Sequence, residues 1–240
     1  MNVALIFAGG RGQRMNTKTV PKQFLELHGK PIIIYTLEQF EEHSEIDAIV
    51  VVCLEPYQKY LQKLLKKFGI QKVQAIVPGG ESGQESIYHG VSKIHELFPE
   101  DTIVLVHDGV RPLIDEETIS ANIECVKKNG SAVTVSPAIE TIALRSEQSN
   151  EMKDIVERRR CCMAKAPQSF VLRDLWNAHQ KAIAEGRNDF IDSASLMRQY
   201  GYQLFTVEGS PSNIKITTPS DFYIFRALVD AREAEQIMGL

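Results

Sequence analysis

The residues whose types and spacing most clearly suggest chemistry lie in a glycine-rich, basic segment from Ala8 to Lys22. It reads Ala-Gly-Gly-Arg-Gly-Gln-Arg-Met at 8–15 and Pro-Lys-Gln at 21–23, directly after an apolar run. Glycines let a backbone turn sharply and approach a ligand, and successive N–H groups in such a turn can bind an anion. Arg14 and Lys22 add donors that suit phosphate oxygens. The segment predicts a phosphate site, and a tight turn on a basic surface is the alternative.

Two common nucleotide-binding motifs do not fit this segment. A dinucleotide fingerprint needs a third glycine, but the frame that begins Gly10-x-Gly12 reaches Met15 at that position. A P-loop needs a closing Gly-Lys-Ser/Thr, which the sequence does not contain. The segment therefore predicts a phosphate site of another type.

An acid and two cations provide a second set of candidates. The sequence His-Asp-Gly-Val-Arg-Pro occupies 107–112, after a predicted strand. Asp108 could hold Mg²⁺, which prefers carboxylate and phosphate oxygens, and Arg111 could bind a second anion. An ion pair between them that fixes the loop is the alternative, because such pairs are common. Lys215 lies between two isoleucines of a predicted strand over 213–217, where it either faces the site or lies on the solvent face of an edge strand.

Two further groups have weaker signals. Gly80, Glu81 and Ser86 surround a predicted helix start, so their loop could face a nucleobase, although a polar first helical turn is the simpler interpretation. Thr141 and the run Arg158–Arg160 lie in a polar stretch without a helical period. Three consecutive arginines suggest a phosphate contact, and a solvated charge run is the alternative.

The elements that must position these residues alternate between apolar runs and helical patterns. We predict strands over 2–7, 48–54, 73–77, 102–107 and 132–137. Between them we predict helices over 32–43, 57–68, 85–98 and 116–129. Apolar strands that alternate with helices predict a parallel sheet covered on both faces, with ligands at the carboxyl ends of the strands.

This alternation stops at about 138–164, where 140–145 and 153–159 could pair as a β-arm that extends from the body. The remaining predicted elements are helices over 172–185 and 192–200, a strand over 203–208 and a final helix from Pro219. We see no internal repeat, and predict that residues 1–240 form a single domain with this arm.

Composition limits the classes of function. A net charge of -4 argues against general nucleic-acid binding, and no apolar run approaches the ~20 residues that span a bilayer. The run Val3–Phe7 is too short for a signal peptide, so we expect a cytoplasmic protein. None of the four cysteines has Cys-x-x-Cys spacing, which argues against a zinc or redox motif.

The motifs, in their order, resemble those of the cytidylyltransferases of the methylerythritol-phosphate and ribitol-phosphate family. The matching motifs are Ala-Gly-Gly-x-Gly-x-Arg-Met at 8–15, Pro-Lys-Gln-Phe-Leu at 21–25, His-Asp-x-x-Arg-Pro at 107–112, Pro-Gln-Ser-Phe at 167–170 and Asn-Ile-Lys-Ile-Thr at 213–217. Five matches in one order, from Ala8 to about Phe222, are more specific than any single motif.

The resemblance implies an α/β fold with a Rossmann-like, mostly parallel sheet, helices on both faces and a protruding β-arm that swaps across a homodimer. It implies transfer of CMP from CTP to a phosphorylated polyol, with release of pyrophosphate and Mg²⁺ as the cofactor. Neither nucleic acid nor membrane is an expected partner. Such a reaction depends on positioning and on positive charge, which agrees with the absence of an obvious protein nucleophile in the sequence.

The same resemblance implies roles for individual residues. It assigns catalysis to Arg14, Lys22 and Lys215. It assigns CTP binding to Ala8, Gly9, Gly10, Arg11, Gly12, Arg14 and Lys22, and cytidine binding to Gly80, Glu81 and Ser86. It assigns acceptor binding to Asp108, Arg111, Thr141, Arg158 and Lys215. Asp108 is also the implied metal ligand, and Thr141 and Arg158 are implied to reach a neighbouring subunit's site.

Details of the motifs bear on the acceptor. Gly9 within Ala-Gly-Gly, Val110 before Arg-Pro, Phe24 after Pro-Lys-Gln and Thr218 before Pro219 resemble the ribitol-phosphate branch. We therefore expect D-ribitol 5-phosphate as acceptor, with CDP-ribitol used for a cell-surface polymer. The alternative acceptor is 2-C-methyl-D-erythritol 4-phosphate, an isoprenoid precursor.

One departure and two alternatives from other classes remain. Ala166 stands where the family usually has threonine before Pro-Gln, so a hydroxyl expected near the acceptor is missing. A nucleotide-sugar glycosyltransferase would commonly carry Asp-x-Asp, but this chain has a single acid, Asp108, at that place. A non-catalytic nucleotide-binding module is the other alternative, and it would not depend on Lys22 or Lys215 for turnover.

Overall fold

A seven-stranded sheet forms the body of the protein, of which the computed structural model describes residues 1–10 and 20–238. The strands along the chain are β1 (Asn2–Ala8), β2 (Glu26–Leu27), β3 (Lys30–Pro31), β4 (Ala48–Cys53), β5 (Val73–Pro78), β6 (Ile103–Asp108), β7 (Ser131–Pro137), β8 (Ile142–Arg145), β9 (Met152–Val156), β10 (Cys162–Val171) and β11 (Thr206–Glu208). The order in the large sheet is β11-β7-β10-β6-β1-β4-β5. β10 is antiparallel to both of its neighbours and the other pairs are parallel, so the predicted mostly parallel sheet is confirmed.

Helices cover both faces of this sheet. They are α1 (Ile32–Glu42), α2 (Gln58–Lys67), α3 (Gly83–Leu97), α4 (Glu116–Asn129), α5 (Leu172–Ala184), α6 (Ser193–Gln199) and α7 (Pro219–Met238). Ala4 and Ile6 of β1 pack with α1, α2 and α4, whereas Val3 and Leu5 pack with α3, α5 and α6. Because β1, β4 and β6 are buried on both faces, their residues are nearly all apolar, and this produced the unbroken runs in the sequence.

The register of the central strands brings their carboxyl ends to one edge. Phe7 pairs with Asp108 across β1 and β6, and Ala8 pairs with Cys53 across β1 and β4. The strand β5 ends nearby, where Gly79 N donates to Cys53 O at 3.1 Å. The loops that follow these strands therefore meet at the edge where open α/β sheets bind ligands.

The predicted β-arm is confirmed. β8 and β9 pair antiparallel in a sheet of their own, with Ile142 opposite Val156. A register shift between Leu144 and Arg145 makes the ribbon irregular towards its tip. The sequence between β7 and β10 thus leaves the body and returns to it.

Two features of the large sheet were not predicted correctly from the sequence. β10 was not predicted, because Pro167 interrupts it and a proline weakens the prediction of an inner strand. A register shift between Ala164 and Gln168 accommodates this interruption. The prediction of a strand over 213–217 is wrong, because this segment is irregular. One of its backbone N–H groups bonds to a loop and another bonds to a side chain, so the segment forms no ladder with a neighbouring strand.

The predicted helices and the other predicted strands of the large sheet all form. Most of their ends lie within two residues of the predicted ones, and the strand predicted over 203–208 is shorter, at Thr206–Glu208. Within residues 1–10 and 20–238, none of the helices combines the length and the apolar character that a bilayer crossing requires.

His179 on α5 makes the stability of the fold sensitive to acid. It is 2% exposed, its Nε2 has no hydrogen-bond partner among the described residues, and burial lowers its pKa from 6.5 to about 4. The unfolded chain therefore binds a proton below about pH 6.5 that the folded chain accepts only near pH 4, so stability falls as the pH drops through this window. The loss attributable to this group reaches about 3 kcal/mol at the acid end.

We expect His179→Leu to reduce this loss, because leucine fills the site without a titrating group. The free energy of unfolding in urea, measured from pH 7 to pH 4, should fall less steeply in the variant than in the wild type. Gln199→Leu, at an exposed position without a titrating group, is the control and should leave the slope unchanged. Equal slopes for wild type and His179→Leu would contradict the expectation.

Candidate active site

A buried carboxylate at the carboxyl end of β6 binds two cations. Asp108 Oδ2 accepts a hydrogen bond from Arg111 Nε at 2.8 Å, and Asp108 Oδ1 lies 2.5 Å from Lys215 Nζ. Burial opposes ionisation of Asp108, but the charges of Lys215 and Arg111 outweigh it and hold the pKa of the carboxyl below its usual value. We call these three residues the Asp108 cluster. It contains two cations and one anion, so it carries a net positive charge.

Two hydrogen bonds, one from a side chain and one from the backbone, hold the segment 213–217 against the loop after β6. Arg111 Nη1 donates to Asn213 O at 3.0 Å, and Ile216 N donates to Val110 O at 2.9 Å. Lys215 lies between these two attachments, which place its ammonium group at Asp108. The two residues meet there although they are far apart in the sequence.

The carboxylate of Asp221 fixes the end of this segment. Its Oδ2 accepts hydrogen bonds from Thr217 N at 2.8 Å, Thr217 Oγ1 at 2.7 Å and Thr218 N at 2.8 Å. Burial opposes its ionisation, but these donors lower the pKa of Asp221. The Thr-Thr-Pro-x-Asp sequence thereby begins α7 and stops the segment at a defined point.

His107 supports the loop from beneath. It is fully buried, and its Nε2 lies 3.1 Å from Arg111 O. Burial lowers the pKa of His107 to about 4, so the ring is neutral at neutral pH. Because a carbonyl can only accept, Nε2 carries the proton and donates it to Arg111 O, which restrains the backbone of Arg111.

The described ends of the glycine-rich segment come together through Gln23. Its Nε2 donates to Ala8 O at 2.7 Å and lies 3.5 Å from Gly10 O. Lys22, next to it, donates from Nζ to Ile216 O at 3.1 Å, so this lysine reaches the segment that carries Lys215. Of the predicted CTP-loop residues, Ala8, Gly9, Gly10 and Lys22 are described, whereas Arg11, Gly12 and Arg14 lie outside the described residues.

The loop after β5 approaches the same edge by close backbone contact. A Cβ at Gly9 would lie 3.1 Å from Gly79 Cα and 3.0 Å from Ser86 Oγ, so a side chain there would separate the two loops. Ser86 Oγ accepts from Gly80 N at 3.0 Å and donates to Ser82 O at 2.9 Å. The predicted cytidine loop therefore lies beside Gly9, and Ser86 fixes its shape.

A cavity of about 290 Å³ opens at this edge. One wall carries Asp108, Arg111 and Lys215, and the floor includes apolar side chains of β1, α3 and β6. A further part of the lining comes from β10 and the start of α6, where Gln168 Nε2 donates to Asp192 Oδ2 at 2.9 Å. The arrangement can accommodate an anion against the cluster and a polar group against β10 and α6.

Thr141 and Arg158 lie on the arm and do not line the cavity of their own chain. Arg158 Nη1 donates to Ile139 O at 3.1 Å, and both predicted acceptor residues are exposed. The structure thus brings together Lys22, Asp108, Arg111 and Lys215, but leaves the two arm residues apart from them in a single chain.

Carboxylates that could hold a cation in the cavity are Asp108 and Asp192. Asp192 uses Oδ1 to accept from Ser195 N and Oδ2 to accept from Gln168, so its oxygens serve the fold. The group His28, Asp230 and Glu233 could also hold an ion, but it is exposed and not part of the cavity lining. Asp108 therefore differs from Asp192, because the partners of its carboxylate are cationic side chains.

Sequence reasoning did not assign roles to Gln23, Gln168 and Lys165. The first two are glutamines, which have no chemical signature of their own, although both lie inside quoted motifs. Lys165 precedes the Ala-Pro-Gln sequence and lines the cavity. Lys165 could have been recognised from its position next to a motif. Side chains near Pro167 lie at a strand irregularity, and such an irregularity can redirect a side chain towards a site.

The chain is similar to known proteins over nearly its whole length. Residues 2–231 match the family model described as IspD, 2-C-methyl-D-erythritol 4-phosphate cytidylyltransferase. The chain is 56% identical over 239 residues to the ribitol-5-phosphate cytidylyltransferase of Vibrio parahaemolyticus serotype O3:K6, with 100% of both chains covered. It is 52% identical over 240 residues to that of Streptococcus agalactiae serotype V, again with 100% of both covered.

A solved structure shares the fold. The 4-diphosphocytidyl-2C-methyl-D-erythritol synthase of Anaerococcus prevotii superposes with a TM-score of 0.82 and is 25% identical. The match covers 95% of this chain and 96% of that chain. The similarity therefore extends over nearly the whole of both chains.

We expect Arg111→Met to destabilise the protein by about 3 kcal/mol, because it removes one partner of a buried charge. The free energy of unfolding in urea measures the change. Arg159→Met is the matched control: Arg159 is exposed and paired with Glu157, so its loss should have little effect. If both variants unfold alike, the cluster does not contribute to stability as the geometry indicates.

Proposed function

The chain belongs to the IspD family of cytidylyltransferases, and from this we propose that it transfers CMP from CTP to D-ribitol 5-phosphate. It is a CTP-dependent nucleotidyltransferase. The observation that carries the acceptor is the full-length similarity to proteins named ribitol-5-phosphate cytidylyltransferase. The proposed product, CDP-ribitol, is an activated unit for a cell-surface polymer, and we place its synthesis in the cytoplasm, where CTP is made.

In the proposed reaction a phosphate oxygen of the acceptor attacks the α-phosphorus of CTP. A new P–O bond forms as the bond from the α-phosphorus to the bridging oxygen breaks, and pyrophosphate leaves with that electron pair. Both reactants are anions, and negative charge accumulates on the transferred phosphorus group. Fixed cations that bind this charge in the transition state lower the barrier without a covalent intermediate.

The Asp108 cluster supplies such cations for the acceptor in this proposal. Arg111 and Lys215 are held in place by one carboxylate, so their donors need little rearrangement when an anion arrives. Lys22 lies at the same edge through its bond to Ile216 O. We assign Lys22, Lys215 and Arg14 to the reacting phosphates, and Asp108 and Arg111 to the acceptor.

The CTP side of the proposal rests on the two loops that meet at Gly9. Backbone groups of Ala8, Gly9 and Gly10, with Arg11 and Gly12, would bind the triphosphate, because glycines permit close approach of N–H groups. The loop of Gly80, Glu81 and Ser86 would bind the cytidine. Support comes from the close contact between Gly9 and Gly79, which brings the two loops together.

The donor type at Asp108 suits a divalent cation, which would share the carboxylate with Arg111 and Lys215, since each of its oxygens contacts one of them. Mg²⁺ is usually bound by one or two carboxylates together with substrate phosphates, and Asp108 provides one carboxylate in the cavity. We propose that Asp108 holds Mg²⁺ when CTP is bound. The ion would neutralise phosphate charge and orient the phosphate oxygens.

We also propose a homodimer in which each arm completes the partner's site. Leu144, Met152 and Ile155 on the arm are each more than half exposed, an apolar surface that a second copy could cover. A two-stranded ribbon alone is marginally stable in water, so a partner would stabilise it. Thr141 and Arg158 would then reach an acceptor bound by the other subunit.

An acceptor panel tests the proposed function. We expect pyrophosphate release to be fastest, by kcat/KM, with CTP and ribitol 5-phosphate, and slower with 2-C-methyl-D-erythritol 4-phosphate, other phosphorylated polyols, or UTP in place of CTP. A Lys22→Ala preparation made in parallel corrects for contaminating activity. A higher kcat/KM with methylerythritol phosphate than with ribitol phosphate would reject the proposed acceptor.

Mixed dimers test the arm. Lys22→Ala should lower kcat by at least roughly a hundredfold, as expected when one transition-state donor is removed, and Arg158→Ala should also impair turnover. If arms act in trans, a dimer of one subunit of each kind contains one intact site, so mixing should restore on the order of a quarter of wild-type activity. Confirmed mixed dimers that stay as inactive as their parents would argue against the exchange.

A further inference from the structure

The part of the cavity lining formed by β10 and the start of α6 adjoins the Asp108 cluster and carries polar groups that the proposed reaction does not use. They are Lys165 on β10 and Ser193 at the start of α6, and Asp192 lies beside Ser193. Ala166, 5% exposed, lies next to Lys165 and presents only a methyl group to the same cavity.

Lys165 is a half-buried cation without an acidic partner among the residues that the structure describes. Its Nζ makes only long contacts, 3.4 Å to Ser210 O and 3.3 Å to Pro211 O. Burial and the nearby charge of Arg111 lower the pKa of Lys165, so the ammonium lies close enough to the cluster to sense it. An ammonium has three donors, and these two weak bonds leave capacity for a ligand.

Ser193 presents a buried hydroxyl whose hydrogen-bonding capacity is not used within the described chain. The residue is 2% exposed and lines the cavity, and its Oγ has no partner there. A buried polar atom without a partner is unfavourable unless a ligand or water supplies the bond. Its neighbours have fixed positions, because Asp192 caps α6 and Ala194 N donates to Gln168 Oε1 at 2.8 Å.

The chemistry of this wall suits hydroxyl groups better than a phosphate. A phosphate only accepts hydrogen bonds here, and the carboxylate of Asp192 would repel it. A hydroxyl both donates and accepts, and the wall offers the donors of Lys165 together with Ser193 Oγ, which can do either. The phosphate of an acceptor is better accommodated by the adjoining Asp108 cluster, which is positively charged.

We propose that Lys165 and Ser193 form the subsite that binds the hydroxyl-bearing chain of the acceptor, and so contribute to the choice of polyol. This rests on the proposed function, since it concerns the second substrate of the same reaction. Lys165 is a binding residue that supplies donors on the side where Ala166 offers none.

Variants at Lys165 separate a hydrogen-bonding role from a purely electrostatic one. Lys165→Met keeps the stem and removes the donors, and should raise KM for ribitol 5-phosphate by about tenfold, as for one lost charge-assisted hydrogen bond. KM for CTP should be unchanged. Lys165→Gln restores a neutral donor and should recover most of the loss. Lys93→Met, on the remote pair with Glu96, is the matched control and should behave as wild type.

Ser193→Ala gives an independent measurement. It should raise KM for ribitol 5-phosphate by roughly threefold to tenfold, as for a lost neutral hydrogen bond, without lowering the thermal midpoint, since it removes a hydroxyl that has no partner in the fold. If Ser193 were only structural, Ser193→Ala would lower the thermal midpoint and would not raise KM for ribitol 5-phosphate relative to KM for CTP.

Three results would overturn the subsite. The first is an unchanged KM for the acceptor in Lys165→Met, and the second is an equal rise in this KM in Lys165→Met and Lys165→Gln, which would mean that the charge of Lys165 acts on the phosphate. The third is an equal change in KM for the acceptor and for CTP. Failure of the proposed function looks different: the wild type itself would prefer another acceptor in the panel. The same variants are then assayed with that acceptor, and the same three results decide.

Discussion

The arrangement of the whole candidate site depends on one carboxylate shared by two cations. Burying Asp108 at the end of β6 costs free energy, and Arg111 and Lys215 offset that cost with direct contacts to separate oxygens. Without the anion, the two cations would repel each other at the same edge. Because they share one partner, their positions are coupled, and the site keeps a positive charge in a fixed place for an anionic ligand.

The sheet explains why such a cluster can form at this place. Parallel strands end at one edge, and the loops after β1, β5 and β6 meet there through close contacts such as that between Gly9 and Gly79. A neutral His107 beneath the loop restrains Arg111 without adding charge. The proposed anion site depends on where the strands end and on the small residues that let their loops approach each other.

The antiparallel strand β10 gives the cavity its second wall. It leaves the arm, passes an irregularity around Ala166 and continues between β6 and β7, which places Lys165 in the lining of the same cavity as the Asp108 cluster. Gln168 ties this wall to the start of α6. The two walls differ in chemistry, since one is cationic and the other mixes donors and acceptors. A phosphorylated polyol has the same two-part character.

The sequence by itself determined the parallel strands of the sheet, the helices and the arm, because burial on both faces leaves unbroken apolar runs and exposure leaves polar ones. It also determined the identity of Lys22, Asp108, Arg111 and Lys215 as candidates, since strand ends and charged residues can be recognised locally. Only the tertiary structure decided that Asp108 bonds both cations, that 213–217 is irregular and that β10 lies inside the sheet. It also decided that Lys165 and the partnerless hydroxyl of Ser193 line the cavity. These features depend on contacts between residues far apart in the chain, and local patterns of polarity carry no information about such contacts.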